Sequence, residues 1–429
     1  MFKESGVKMD YKMIKEDGYN LHLVKTDKFK EIEVHLYLSN VLDKDTYYKR
    51  NIVIDLLTEN NSEFPNRRDK SLFLEDLYGA RLFSAVCRDG RYHTCEMIMS
   101  FLDSSNLEDN IMEPSIKFMF NSLFNPYLKD NQFDNDIFEQ RKEYFIQSLK
   151  TDNDYPKLIA KRNCRQLIDP DTPIGLADYG TIEDLEKLTN EEVVEEYNKM
   201  INNDIVDIVV CGNIDEKEIT TLIKKYAKFS KRNNEHEELF INPRLKDKVT
   251  LEKVTKDINQ SLLIQEYNVV DLTPYEYKYV MHIFNEILGG GSLETKLYRR
   301  VRNEHSLCYS ISSYYHKYDN YLEITTGVDA KNIKETQDII AKTIEEMKDS
   351  ITDEELTNAI NSIINSIILE FNSISYMQSF WYYSYLGDLD PIDQRLDNYR
   401  HVTKEDIYKL FDKIKLNTVY ILEGSDSHE

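Results

Sequence analysis

Apolar and polar positions along this chain follow the same succession of patterns twice. In the first half, a β-rich stretch from Tyr92 to Leu102 runs into a polar turn, Asp103-Ser-Ser-Asn-Leu107, and then into a segment with apolar residues at Ile111, Ile116, Met119, Phe120 and Leu123. In the second half, Tyr321 to Val328 is followed by Asp329-Ala-Lys-Asn-Ile333 and by Ile333, Thr336, Ile340, Ile344 and Met347. A three-and-four spacing of this kind lays one apolar stripe of a helix against a sheet. Asp103 and Asn106 recur as Asp329 and Asn332 at one constant offset, which marks an internal repeat. Each copy also closes alike: Asp207-Ile-Val-Val-Cys-Gly212 and Thr418-Val-Tyr-Ile-Leu-Glu-Gly424 are short β-rich runs halted by glycine, as expected of buried strands. Ahead of the first, Thr189 with Glu192 three residues on predicts a capped helix over Asn190 to Met200.

Between the copies, Ser230-Lys-Arg-Asn-Asn-Glu-His-Glu-Glu238 has no apolar period and reads as an exposed linker. The expected domains are therefore residues 1–229, a linker at 230–245, and residues 246–429. Each domain mixes strands and long helices, which predicts an α+β class. Two similar α/β-roll domains, each a mainly antiparallel sheet with helices packed on one face, would arise by duplication and clasp each other as a clamshell. The aromatic run Phe380-Trp-Tyr-Tyr-Ser-Tyr385 is expected in a core or a subunit interface.

Composition narrows the function. A net charge of −23 would repel phosphate backbones, so nucleic acid is not an expected partner; the acid is read as a solvated surface. No stretch is long and apolar enough for a membrane span, and Met1 to Asp10 has no apolar core of a signal peptide, so a cytoplasmic location is expected. Five cysteines without CxxC spacing read as reduced thiols. His93 and Cys95 would share one face of a strand, which alone is too little for a zinc site.

The densest constellation is Leu288-Gly-Gly-Gly-Ser292, then Lys296-Leu-Tyr-Arg-Arg-Val-Arg302, then Ser306-Leu-Cys-Tyr309. The glycines lack the Gly-Lys-Ser/Thr ending and the leading strand of a phosphate loop. The whole stretch resembles the C-terminal domain of pitrilysin/insulinase-type peptidases, inverted zincins that carry a glycine-rich segment and a pattern like L-x-x-x-x-R-x-x-x-x-L-x-Y. Leu297, Arg302, Leu307 and Tyr309 fit that pattern. The resemblance extends more weakly through the repeats, the Pro173-Ile-Gly-Leu segment, the Leu188-Thr189 helix start and the Gly212 strand end. It implies that Gly289, Gly290, Gly291, Ser292, Arg302 and Tyr309 bind a peptide near its scissile bond. Pairing of Arg302 with a surface acid, and packing of Tyr309 beside Tyr314 and Tyr315, are the plainer alternatives.

Active members of that family carry H-x-x-E-H on a helix, two histidines for zinc and a glutamate that activates water. The matching helix here is expected at Tyr48 to Glu63 and contains no histidine; none of the nine histidines of the chain lies four residues from another. The third ligand would fall near Gln147 or Ser148, neither a carboxylate. The resemblance thus implies the non-catalytic member of a bacterial two-subunit peptidase pair. Such a chain needs no cofactor of its own, its partner is a zinc-bearing paralogue with H-x-x-E-H, and its substrate is a peptide or unfolded protein. The alternatives are a stand-alone peptide-binding or scaffold protein, and an active hydrolase of unrecognised chemistry.

Overall fold

The computed structural model describes residues 9–176 and 179–425; the Met1–Lys8 segment read above for targeting lies outside them. The chain begins with β1 (Asp10–Lys15), β2 (Asn20–Lys25), β3 (Glu31–Val41), α1 (Tyr47–Leu57), α2 (Arg67–Asp76), β4 (Arg81–Asp89), β5 (Tyr92–Leu102) and α3 (Met112–Phe124). A small ribbon, β6 (Leu128–Lys129) with β7 (Gln132–Phe133), precedes α4 (Asn135–Asp152), α5 (Pro156–Ile168), α6 (Ile182–Lys187), α7 (Asn190–Asn203), β8 (Ile205–Gly212) and α8 (Glu216–Tyr226). After a stretch without regular structure come β9 (Thr250–Lys256), β10 (Ser261–Val269), α9 (Met281–Leu288), β11 (Cys308–His316), β12 (Tyr321–Val328) and α10 (Ile333–Ser350). The chain closes with α11 (Asp353–Glu370), α12 (Ile374–Tyr385), α13 (Ile392–Arg400), α14 (Lys404–Tyr408) and β13 (Ile414–Gly424).

The repeat read from the sequence is a repeat of topology. One sheet has the strand order β1-β2-β8-β3-β5-β4 and the other β11-β12-β10-β13-β9. With β1 set aside, β2, β8, β3, β5 and β4 correspond in order to β9, β13, β10, β12 and β11. The single parallel pair of each sheet falls at the same place, β2 with β8 and β9 with β13; all other neighbours are antiparallel. Asp103, the recurring aspartate, follows β5, accepts the Ser105 N–H and receives a bond from Asn213 Nδ2 at 2.8 Å, so it ties the end of β5 to the end of β8. The α+β class with antiparallel-rich sheets and helices is what the structure contains.

Two compact units can be described separately. The first comprises the chain through Lys150, Asp178–Leu239 and Glu370–Leu389; the second comprises Thr151–Ala177, Phe240–Leu369 and Asp390–Glu429. Thus α12 belongs to the first unit and α5 to the second, each separated in sequence from the sheet it covers. In the first unit, one sheet face is apolar: Leu21, Leu23, Val34, Leu36, Leu38, Met97, Met99, Ile208 and Val210 are buried in one core with side chains of α1, α3, α7 and α8. α7 starts at Thr189 with a capping box to Glu192, as the sequence predicts.

The other face of this sheet is polar, and α12 lies on it. Tyr382 stacks on Tyr37 with ring centroids 4.0 Å apart, Trp381 stacks on Tyr11 at 4.2 Å, and Tyr37 donates to Gln378 Oε1 at 2.7 Å. The aromatic run is therefore core packing within the first unit. In the second unit α5 covers Leu262, Ile264, Tyr420 and Leu422 with Ala160 and Cys164.

The run expected as an exposed linker is laid down on the first unit as far as Leu239. The Asn234 side chain bonds both the N–H (2.9 Å) and the C=O (2.8 Å) of Val206, and the N–H of Arg91 donates to Leu239 O. Arg232 donates to the carbonyls of Ile201 and Asp204 at the end of α7. Polar side chains that satisfy strand and helix-end groups need no apolar period, which is why the composition resembled free coil.

Candidate functional site

The glycine-rich segment begins where α9 ends. Gly289 is the residue after the helix, and its carbonyl accepts the N–H of Ser313 in β11 at 2.8 Å. A Cβ at Gly289 would stand 2.8 Å from both Ser313 N and Ser313 Oγ, so glycine here is required by the approach of the edge strand. One at Gly290 would lie 2.7 Å from Glu286 Cα, and Gly291 has φ +113°, a conformation L side chains rarely adopt. Ser292 then turns the chain by accepting the Glu294 N–H at 3.2 Å.

Tyr298–Glu304 forms a π-helical turn, a form the sequence spacing did not reveal. Arg302 sits in it. Its guanidinium lies over the rings of Tyr298 (5.0 Å) and Tyr309 (4.7 Å), and Nη1 donates to Tyr309 O at 2.5 Å. The neighbouring arginines are ion-paired, Arg299 with Glu355 and Arg300 with Glu304 and Glu346, whereas Arg302 has no carboxylate partner among the described residues. Pairing with a surface acid is therefore not what holds it. Tyr309 is 76% exposed at the start of the edge strand β11 and does not pack in a core; of the two tyrosines named beside it, Tyr314 is exposed and Tyr315 buried. Beside the glycines lies a cleft of ≈ 400 Å³, lined by Glu286, Ser292, Thr295, Arg299 and Glu354 among others.

The structure also shows what stands where zinc would be expected. The first-half helix is shorter than read: α1 ends at Leu57, and Thr58 and Asn61 turn the chain, the hydroxyl donating to Asp55 O and the Asn61 side chain accepting the N–H groups of Glu63 and Phe64. On α1, Asp55 is bound by both Nε and Nη2 of Arg141 from α4. Gln147, also on α4, bonds Glu143 on its own helix at 2.5 Å. His93 and Cys95 are neighbours, 4.0 Å apart, but Arg50 donates to His93 Nδ1 at 3.0 Å. Burial and then this guanidinium push His93 down to about 3, so the imidazole is neutral beside a fixed cation that opposes a metal ion. Among the described residues, no group of three or more His, Cys, Asp or Glu is arranged to hold a metal.

Comparison with known proteins bears on the same question. The family profile described as "Peptidase M16 inactive domain" matches residues 187–363. A "probable inactive metalloprotease" of Bacillus subtilis, YmfF, is 26% identical over 422 residues, covering 96% of this chain and 97% of its own. Over residues 187–363 this chain is thus similar to the inactive domain of M16 peptidases, and over nearly its whole length to a protein described as a probable inactive metalloprotease. A "non-peptidase homolog" of Helicobacter pylori, YmxG, is 24% identical over 303 residues, covering 68% of this chain and 67% of its own. The crystal structure of a conserved protein from Enterococcus faecalis superposes on it with a TM-score of 0.92 at 23% identity, covering 98% of this chain and all of that one. No helix among the described residues of this chain is long and apolar enough to cross a membrane.

What sequence reasoning missed is a second set of polar groups, on the sheet face under α12. Asp207 Oδ1 lies 3.2 Å from His22 Nε2, and Oδ2 lies 2.8 Å from His236 Nε2. Asn20 Nδ2 donates to Asp207 Oδ1 at 2.9 Å, and Tyr11 OH lies 2.9 Å from His22 Nδ1. Burial works against the Asp207 carboxylate, but its two histidine partners outweigh burial and hold it down at about 2. The only signal in the sequence was polar alternation within otherwise apolar strands, such as His22 between Leu21 and Leu23.

Proposed function

We propose that this chain is a substrate-binding, non-catalytic subunit that completes a zinc peptidase whose metal site resides in a paralogous partner. The observation that carries the reading is Arg302, stacked between Tyr298 and Tyr309, free of any carboxylate among the described residues, with only Nη1 committed to Tyr309 O. Guanidinium has five N–H donors, so several remain for a peptide carbonyl, where charge-assisted bonds are about twice as strong as neutral ones. The exposed Tyr309 hydroxyl is a further donor beside it. Edge strand β11 has no strand paired on its outer side, where an extended peptide can add alongside, and at Gly291 nothing lies within 4 Å of the place a Cβ would take.

The partner, the peptide substrate and the shared active site belong to this proposal. The test is peptide hydrolysis by the purified chain, by its closest H-x-x-E-H paralogue, and by the mixture. Activity is expected only in the mixture, reduced about tenfold or more by Arg302→Ala and less by Tyr309→Phe, because removal of one oxyanion-type donor costs about 10²-fold or more when it is fully engaged. A mixture no more active than the paralogue alone, with no association by sedimentation, overturns the proposal.

A further inference from the structure

The two helices that sit apart in sequence from the sheets they cover rest on equivalent seats. In the β3–β5 ladder Tyr37 faces Glu96, and in the corresponding β10–β12 ladder Glu266 faces Glu323. Corresponding strands β5 and β12 thus each bring a carboxylate under the covering helix, and each seat adds a second carboxyl group close by.

In the first unit His35 is wedged between two acids: Nε2 lies 2.8 Å from Glu33 Oε2 and Nδ1 lies 2.5 Å from Glu96 Oε1. His35 and Glu33 are buried, and α12 is tied to the acid, since Ser375 donates to Glu33 Oε2 at 2.9 Å. The seat is also faced by Tyr37 of β3 itself, Cys87 on β4, Cys211 on β8, and Gln378 and Tyr382 on α12; these bring no other cation. Only imidazolium has a donor for each acid and a charge to set against them. Burial pushes His35 down, but its bonds to Glu33 and Glu96 and their charges overcome this and hold it above the usual histidine range.

In the second unit Glu266 is fully buried, and apart from the Cys164 thiol of α5 neither carboxyl oxygen has a hydrogen-bond partner among the described residues. Glu323 beside it is bound by Lys161 of α5 and lies 4.0 Å from Arg165 of the same helix, with His316 of β11 at 3.9 Å. Lys246 and Tyr321 complete the surroundings. Burial and then the Glu323 carboxylate push Glu266 up to about 8, so it is the neutral acid that fits under α5.

We propose that α12 and α5 are proton-held covers: each stays seated while one buried group beneath it, His35 or Glu266, carries its proton, and each loosens when that proton leaves. The sign is the same for both. A folded-state proton affinity above that of the unfolded chain favours the seated form at low pH, and the advantage is lost as pH rises through the folded value. Deprotonation leaves Glu33 and Glu96 without a counter-charge between them in the first seat, and in the second it puts a charge on Glu266, whose buried oxygens have no side-chain cation hydrogen-bonded to them.

The test is hydrogen exchange of the full chain, read by mass spectrometry on peptides spanning α12 and α5 between about pH 6 and about pH 9 and corrected for intrinsic exchange. Opening of both helices is expected to rise about tenfold or more, the equivalent of one pH unit of linkage. Glu33→Gln removes one acid, so that neutral His35 suffices, and is expected to flatten the pH dependence of α12 while leaving that of α5. Glu266→Gln is expected to do the converse. Far-ultraviolet circular dichroism confirms that each variant is folded, and Glu96→Gln replaces Glu33→Gln if the latter is not. Exchange that is independent of pH in the wild type, or pH dependence that survives either substitution in its own helix, overturns the proposal.

Discussion

At the scale of the residue, the strongest commitments of this protein are buried charges with fixed partners. Arg50 on α1 is buried, lies 2.8 Å from Asp204 Oδ2, and donates to Leu38 O and His93 Nδ1. Removing one partner of such a pair strands the other without solvent, a cost of about 3–5 kcal/mol. Arg50→Met is therefore expected to lower the thermal unfolding midpoint steeply, whereas Arg67→Met, whose guanidinium is half exposed beside Glu59, is expected to change it little. Differential scanning calorimetry of the two variants checks the contrast. None of this was legible in the sequence: Arg50 looks like any helix-surface cation, and only the fold brings Asp204 to it. Arg302 and Tyr309, by contrast, could be singled out because their spacing from Leu297 and Leu307 survives as a pattern, and the structure places the two in contact. The sequence also holds no two histidines four residues apart. With no assembled ligand set among the described residues, EDTA is expected to leave the unfolding midpoint of the purified chain unchanged, and a drop of several degrees would contradict that.

At the scale of the element, legibility followed periodicity. The strand over Tyr92–Leu102 and the one over Tyr321–Val328 were bounded correctly because turn residues flank them, and the start of α7 because its cap is local, though the helix runs on past Met200 to Asn203. The π-helical turns at Glu276–Val280 and Tyr298–Glu304 were not, since one inserted residue barely disturbs an apolar stripe. The glycine segment was seen but its cause was not, because that cause is Ser313, a residue of β11. Gly289→Ala forces a Cβ against the backbone of that strand and is expected to cost about 1–3 kcal/mol, as overpacked sites do. Gly387→Ala, at φ +79° with nothing within 4 Å of the added carbon, meets strain but no clash and is expected to cost less. Chemical denaturation of both variants decides whether contact or conformation dominates.

At the scale of the whole molecule, the duplication could be read from Asp103 and Asp329, and the two sheets share one topology. The assignment of α5 and α12 could not be read, because an amphipathic helix states which of its faces is apolar and not which sheet receives it. That assignment has a consequence for biosynthesis. Domains usually fold as they leave the ribosome, N-terminal first. Here every strand of the first sheet has been made by Gly212, yet the helix that covers its polar face, Ile374–Tyr385, is not translated until well over a hundred residues later. During that interval His22, Glu33, His35, Glu96 and Asp207 stand open to water, where charge is at little cost, while the apolar face can already close on α1, α3, α7 and α8. A nascent chain built this way waits with a hydrated surface exposed in place of a sticky one until its late helix is made.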